Sequence, residues 1–147
     1  MRFLLGFLLL ISCVENVDLS KMLVETKALR PQVGSIVAAS YLTDGDQVLL
    51  KAYFTRLVSL ASELKTNQKS RDAFQSFAKK EGVGTLCQDF LMPNEEHVKL
   101  LALCTKNGFF ICAEELRAYP DVIKLIQTNL SGEVLVAYQS TLSCPKF

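Results

Sequence analysis

The chain has 147 residues, half of them hydrophobic, with 16 Lys+Arg against 15 Asp+Glu. That length suits a single domain with one core, and the near balance of charge argues against nucleic-acid binding, which draws on a basic excess over one face. A single histidine leaves no second imidazole to join it in metal or proton chemistry. No Pro-, Gly- or Ser-rich linker, internal repeat or low-complexity tract divides the sequence.

The chain opens with Met1-Arg2, a short basic start. Phe3 to Ser12 follows without a charge, and then comes Cys13. An apolar run of this length suits the core of an export signal and is too short to span a bilayer, which takes about 20 residues. The run ends Leu10-Ile11-Ser12-Cys13, which resembles the lipobox of bacterial lipoproteins: a branched aliphatic residue, two small or medium residues and a cysteine. The resemblance covers residues 1–13 and implies a processing route. Cys13 receives a diacylglycerol on its thiol, the peptide before it is removed, and the new amine is acylated. Each buried CH₂ contributes about 0.8 kcal/mol, so two or three acyl chains hold a protein on a membrane where one does not. On this reading residues 1–12 are an export signal, 13–20 carry the lipid and a short tether, and 21–147 form one domain. Val14, where an Asp would favour inner-membrane retention, leans the resemblance towards the outer membrane. Two other readings are an ordinary secretory signal and an uncleaved apolar N-terminus. A cut after Cys13 places Ile11 and Cys13 where small residues are preferred, a poor fit to a secretory cleavage site.

Beyond the leader the pattern is helical. Leu19 to Leu29 reads as one helix stopped near Pro31, because Pro disfavours the helical conformation in the residue before it. Gln32 to Leu42 resumes, with Pro31 as a suitable first residue. The strongest helix lies between Asp44 and Lys65, where Leu50, Tyr53, Phe54, Leu57, Leu60, Ala61 and Leu64 recur at steps of three and four. Asp44 or Asp46 is the expected N-cap. Ser70 to Lys80 follows, with Gly82 placed to end it, and Gly82-Val83-Gly84-Thr85 reads as a stop and a turn. Pro93-Asn94-Glu95-Glu96 opens the next helix, capped by Asn94 and complemented by the two acids. Its expected buried face is Val98, Leu101 and Ala102, with Leu100 at the margin, and Asn107-Gly108 ends it. Phe109–Ala113 fits a short strand or the lead into a helix through Arg117. Pro120-Asp121 starts a helix over Val122–Thr128. Ser131 caps a last one through Tyr138, although Val134-Leu135-Val136 also suits a strand. The expected fold is all-α, a compact bundle of six to eight helices, with a small β-hairpin of Phe109–Ala113 and Val134–Tyr138 as the competing feature.

The cysteines are Cys13, Cys87, Cys104, Cys112 and Cys144. An odd count in an exported chain leaves one thiol to explain, and lipidation of Cys13 explains it. The remaining four form two disulfides in an oxidising compartment or four buried thiols in a reducing one. The favoured pairing is Cys104–Cys112 across a tight connection and Cys87–Cys144 pinning the C-terminus. The second closes a long loop and is worth about 3–4 kcal/mol by chain entropy. No C-x-x-C occurs and His97 has no second histidine, so neither a zinc site nor any other metal or cofactor is expected.

Other motifs carry little chemistry. His97 sits in a first helical turn, where exposure is common, and Glu95 and Glu96 do not share its face. Asp44-Gly45-Asp46 lacks the later ligands of a calcium loop. Asn129-Leu130-Ser131 matches the N-glycosylation pattern and, if used, marks Asn129 as exposed. The basic stretch Lys65, Lys69, Arg71, Lys79 and Lys80, opposed by Asp72 alone, reads as a solvated surface or as a patch for anionic headgroups or an acidic partner. The pair Phe109-Phe110 packs around the cysteines or offers aromatic contacts.

Three functions fit these residues. The first is a membrane-anchored envelope lipoprotein with a non-enzymatic binding or structural role, meeting the membrane through its lipid and an envelope component through its domain. The second is a freely secreted, disulfide-bonded helical ligand or inhibitor. The third, disfavoured by the lack of catalytic signatures, is a small hydrolase or transferase using His97.

Overall fold

A computed structural model describes the backbone of residues 2–108 and 110–147 and the side chains of residues 19–108 and 114–147. The chain is an all-α bundle. Among the described residues there are seven helices and no strand: α1 (Arg2–Val37), α2 (Asp44–Thr66), α3 (Gln68–Glu81), α4 (Val83–Asp89), α5 (Asn94–Lys106), α6 (Phe110–Thr128) and α7 (Gly132–Ser140). α2 is the central element, packed against α1, α3 and α6, and α5 lies along α6 and α1.

The expected break at Pro31 does not occur; Pro31 lies inside α1. Leu19, Leu23, Thr26, Arg30, Val33 and Ile36 are all buried, and they keep one helical phase across the proline. Stopping the helix there would turn Val33 and Ile36 out of the core. An internal proline costs about 3 kcal/mol, whereas burying two such side chains contributes about 1.5–3 kcal/mol each, so packing prevails. The proline ring itself faces solvent. Pro120 repeats the pattern. It lies inside α6 instead of starting a helix, because Leu116, Tyr119, Ile123 and Ile126 form one buried stripe through it.

α2 buries the seven residues its periodicity predicts, but its cap is Thr43, not Asp44 or Asp46. The Thr43 hydroxyl accepts from the Asp46 amide at 3.1 Å, and the Asp46 carboxylate accepts from the Thr43 amide at 3.0 Å, a reciprocal capping box. α3 is capped by Asn67 and ends at Gly82, whose φ of 90° is open to glycine. The expected turn after Gly82 is helix α4. It buries Val83, Leu86 and Cys87, and seven residues are too few for a periodic signal.

In α5 the N-cap is Pro93. Asn94 is the first helical residue, and its amide is spent instead on the C-terminal segment: Nδ2 donates to the Lys146 carbonyl at 2.6 Å and Oδ1 accepts from the Lys146 amide at 2.9 Å. The buried face is His97, Leu100 and Cys104, one residue out of phase with the expected one; Val98 is 63% exposed. The hairpin is not formed. Residues 110–113 and 134–138 are helical, and α7 buries Val134 and Tyr138 at a step of four while Val136 faces solvent. The packing of Phe109 and Phe110 lies outside the described side chains.

Candidate functional site

The most polar part of the interior surrounds the short connection Phe90–Pro93 between α4 and α5. A connection this deep carries backbone groups that water cannot reach, so side chains must satisfy them. Three do so. Tyr53 of α2 donates its hydroxyl to the Phe90 carbonyl at 2.7 Å. Arg30 of α1 donates Nε to the Leu91 carbonyl at 2.9 Å. The Tyr119 hydroxyl of α6 accepts from the Met92 amide and donates to the Met92 carbonyl, both at 2.7 Å. Three helices thus converge on one loop.

Arg30 is only 8% exposed, and a charge so placed needs a partner. Its Nη2 meets the Glu96 carboxylate at 2.6 Å. The Arg30 side of the pair is buried and the Glu96 side is partly exposed, so removing Glu96 strands the more deeply buried charge, whereas removing Arg30 leaves a carboxylate that water still reaches. Burial pushes the Tyr53 hydroxyl well above the ordinary tyrosine range; nearby Arg30 opposes this and Glu96 adds to it. Burial likewise raises Tyr119 and Tyr138.

Arg30 forms the floor of a cleft of about 280 Å³ between α1 and α4, lined also by Lys27, Pro31, Gly34, Gln88 and Asp89. A second cleft, about 270 Å³, lies between α1 and α2; there Glu25 pairs with Arg56 Nε and with Lys21. A third, about 500 Å³, lies between the start of α5 and the C-terminal segment.

His97 departs from expectation. It is buried, and its Nε2 donates to the Leu116 carbonyl at 2.5 Å. The ring stacks on Tyr119 at 5.3 Å and meets the edge of Phe147 at 5.4 Å. A carbonyl only accepts, so Nε2 carries a proton and serves packing between α5 and α6. The Glu115 carboxyl is raised by burial, with Lys51 opposing, and its Oε2 has no hydrogen-bond partner among the described residues.

Cys87 and Cys144 form a disulfide with Cα atoms 4.9 Å apart, tying the C-terminal segment to α4. Tyr138 reinforces that segment through a 2.7 Å bond to the Pro145 carbonyl. Cys104 is buried; its expected pairing lies outside the described side chains, as Cys112 does. Cys13 and the rest of the lipobox lie outside them too. Lys65, Lys69, Lys79 and Lys80 are exposed, but Arg71 is engaged, donating to the Leu64 and Lys65 carbonyls at 3.1 Å each. Asn129 is half-buried and its Nδ2 donates one of its two N–H groups to the Leu125 carbonyl at 2.7 Å.

Sequence reasoning missed Arg30, Tyr53, Tyr119 and Glu96 as a group. They come from four helices, and no spacing along the chain announces them. Among the described residues no group of three or more His, Cys, Asp or Glu is placed to hold a metal, and no helix is long and apolar enough to cross a membrane. No protein-family model matches the chain, and no curated protein or solved structure matches it.

Proposed function

We propose that this protein is a lipid-anchored envelope protein whose helical domain acts by binding and not by catalysis. The observation that carries the reading is the tetrad Leu10-Ile11-Ser12-Cys13 at the end of an apolar run of export-signal length. The cysteine count supports it, since lipidation of Cys13 leaves an even number. The Cys87–Cys144 disulfide is compatible with an oxidising compartment. A binding role accords with a lone histidine engaged in packing.

Intact-mass analysis of the native protein, with palmitate labelling of wild type and Cys13→Ala, tests the proposal. The expected result is a mature chain that begins at Cys13, carries acyl chains and loses label in Cys13→Ala. A chain that begins elsewhere, unacylated and recovered in the soluble fraction, overturns it in favour of the freely secreted ligand or inhibitor.

A further inference from the structure

The Arg30 guanidinium has five N–H groups, and the loop connection and Glu96 use two of them. Nε serves the Leu91 carbonyl and Nη2 serves Glu96. Nη1 makes no hydrogen bond among the described residues and borders the cleft between α1 and α4, where a Cβ added at Gly34 would come within 3.6 Å of it. A cation nine-tenths buried thus turns its free nitrogen into a cleft of about 280 Å³.

The walls define what could fill it. Lys27 adds a second positive group at the rim, spaced three residues before Arg30 on the same face of α1. Asp89 supplies a negative group and Gln88 an amide from the other side. With Glu96 already on the far edge of Arg30, the surroundings are near neutral in sum and polarised across the cleft. A dianion gains little there. A ligand with a carboxylate at one end and a cationic donor at the other matches both walls. We propose that this cleft binds a small zwitterion of the amino acid or short-peptide class, its carboxylate held by Arg30 and Lys27 and its ammonium group by Asp89. The proposal is independent of the anchorage above, and Cys13→Ala protein should bind equally well.

Glycylglycine titrated into ¹⁵N-labelled full-length protein tests it, followed by the amides of Gly34, Gln88 and Asp89 and the Nε–H of Arg30. Saturable shifts confined to these groups are expected. Glycylglycinamide, which lacks the carboxylate, should produce none. N-acetylglycylglycine, which lacks the ammonium group, should bind about tenfold more weakly, as loss of a charged hydrogen bond implies. Gly34→Leu fills the cleft at a helical position and should abolish the response. Lys27→Gln lies on the exposed rim, where folding is not at stake, and should weaken binding about tenfold on the same ground. The proposal is overturned if glycylglycine causes no saturable shift, if glycylglycinamide or sodium chloride reproduces its effect, if inorganic phosphate binds more tightly, or if Lys27→Gln or a folded Gly34→Leu retains full affinity.

Discussion

Replacing Tyr119 by Phe removes one oxygen atom and orphans two backbone groups. The hydroxyl holds the Met92 amide and the Met92 carbonyl at once, and Tyr119 and Met92 are both shut off from solvent. A buried group left without a partner costs about 1–3 kcal/mol, and carbonyls tolerate it better than amides. The two together give about 2–4 kcal/mol. Tyr53→Phe is the control. It sits in the same core, contacts the same connection and orphans only the Phe90 carbonyl, for about 1–2 kcal/mol by the same rule. Both variants keep the ring and leave no large cavity, so the difference isolates the second orphaned group. Urea unfolding followed by circular dichroism measures it, with the slope compared to confirm that the same surface is exposed. Tyr119→Phe should unfold at a clearly lower urea concentration than Tyr53→Phe. Equal losses in the two variants would refute the claim that the Phe90–Pro93 connection is held by side chains acting as substitute backbone partners.

Leu100→Ala should cost about 2–5 kcal/mol, whereas Val98→Ser on the exposed side of α5 should change stability by about 0.5 kcal/mol or less; the reverse order in thermal melts would restore the face expected from sequence. Replacing Cys87 and Cys144, 57 residues apart, together by Ala should remove about 4 kcal/mol of loop-closure stabilisation, and calorimetry under non-reducing conditions reads it. For the tyrosines the sign follows from linkage. Burial raises the folded-state values of Tyr53, Tyr119 and Tyr138, so between the unfolded value, about 10, and those raised values the folded state holds more protons. Their contribution is complete below about pH 10 and falls as pH rises beyond it. Phenolate absorbance from these three should therefore appear only with the loss of helical signal, and its appearance in a still-folded protein would contradict their burial.

Much of the bundle was legible along the chain, because a helix facing one core repeats its apolar residues every three or four positions. The seven buried positions of α2 follow from that rule and the stop at Gly82 from its glycine conformation, whereas residues 134–136 fit helix and strand equally and Ser131 makes no side-chain cap bond to decide between them. Errors arose where a local preference competed with packing. Pro31 and Pro120 looked like boundaries, yet each lies on a helix whose buried stripe stays in phase across it. In α5 the apolar spacing of Val98, Leu101 and Ala102 points to one face, whereas the buried face includes His97, whose ring lies between Leu116, Tyr119 and Phe147.

By sequence alone the protein is a mostly helical chain of near-zero net charge, since periodicity and composition are properties of neighbours along the backbone. Only the tertiary structure could assemble Arg30, Tyr53, Glu96 and Tyr119 around one loop and turn an arginine nitrogen towards the cleft beside Gly34. Those relations join positions from different helices, and what selects them is the need to satisfy buried polar groups, a requirement that does not exist until the chain has folded around them.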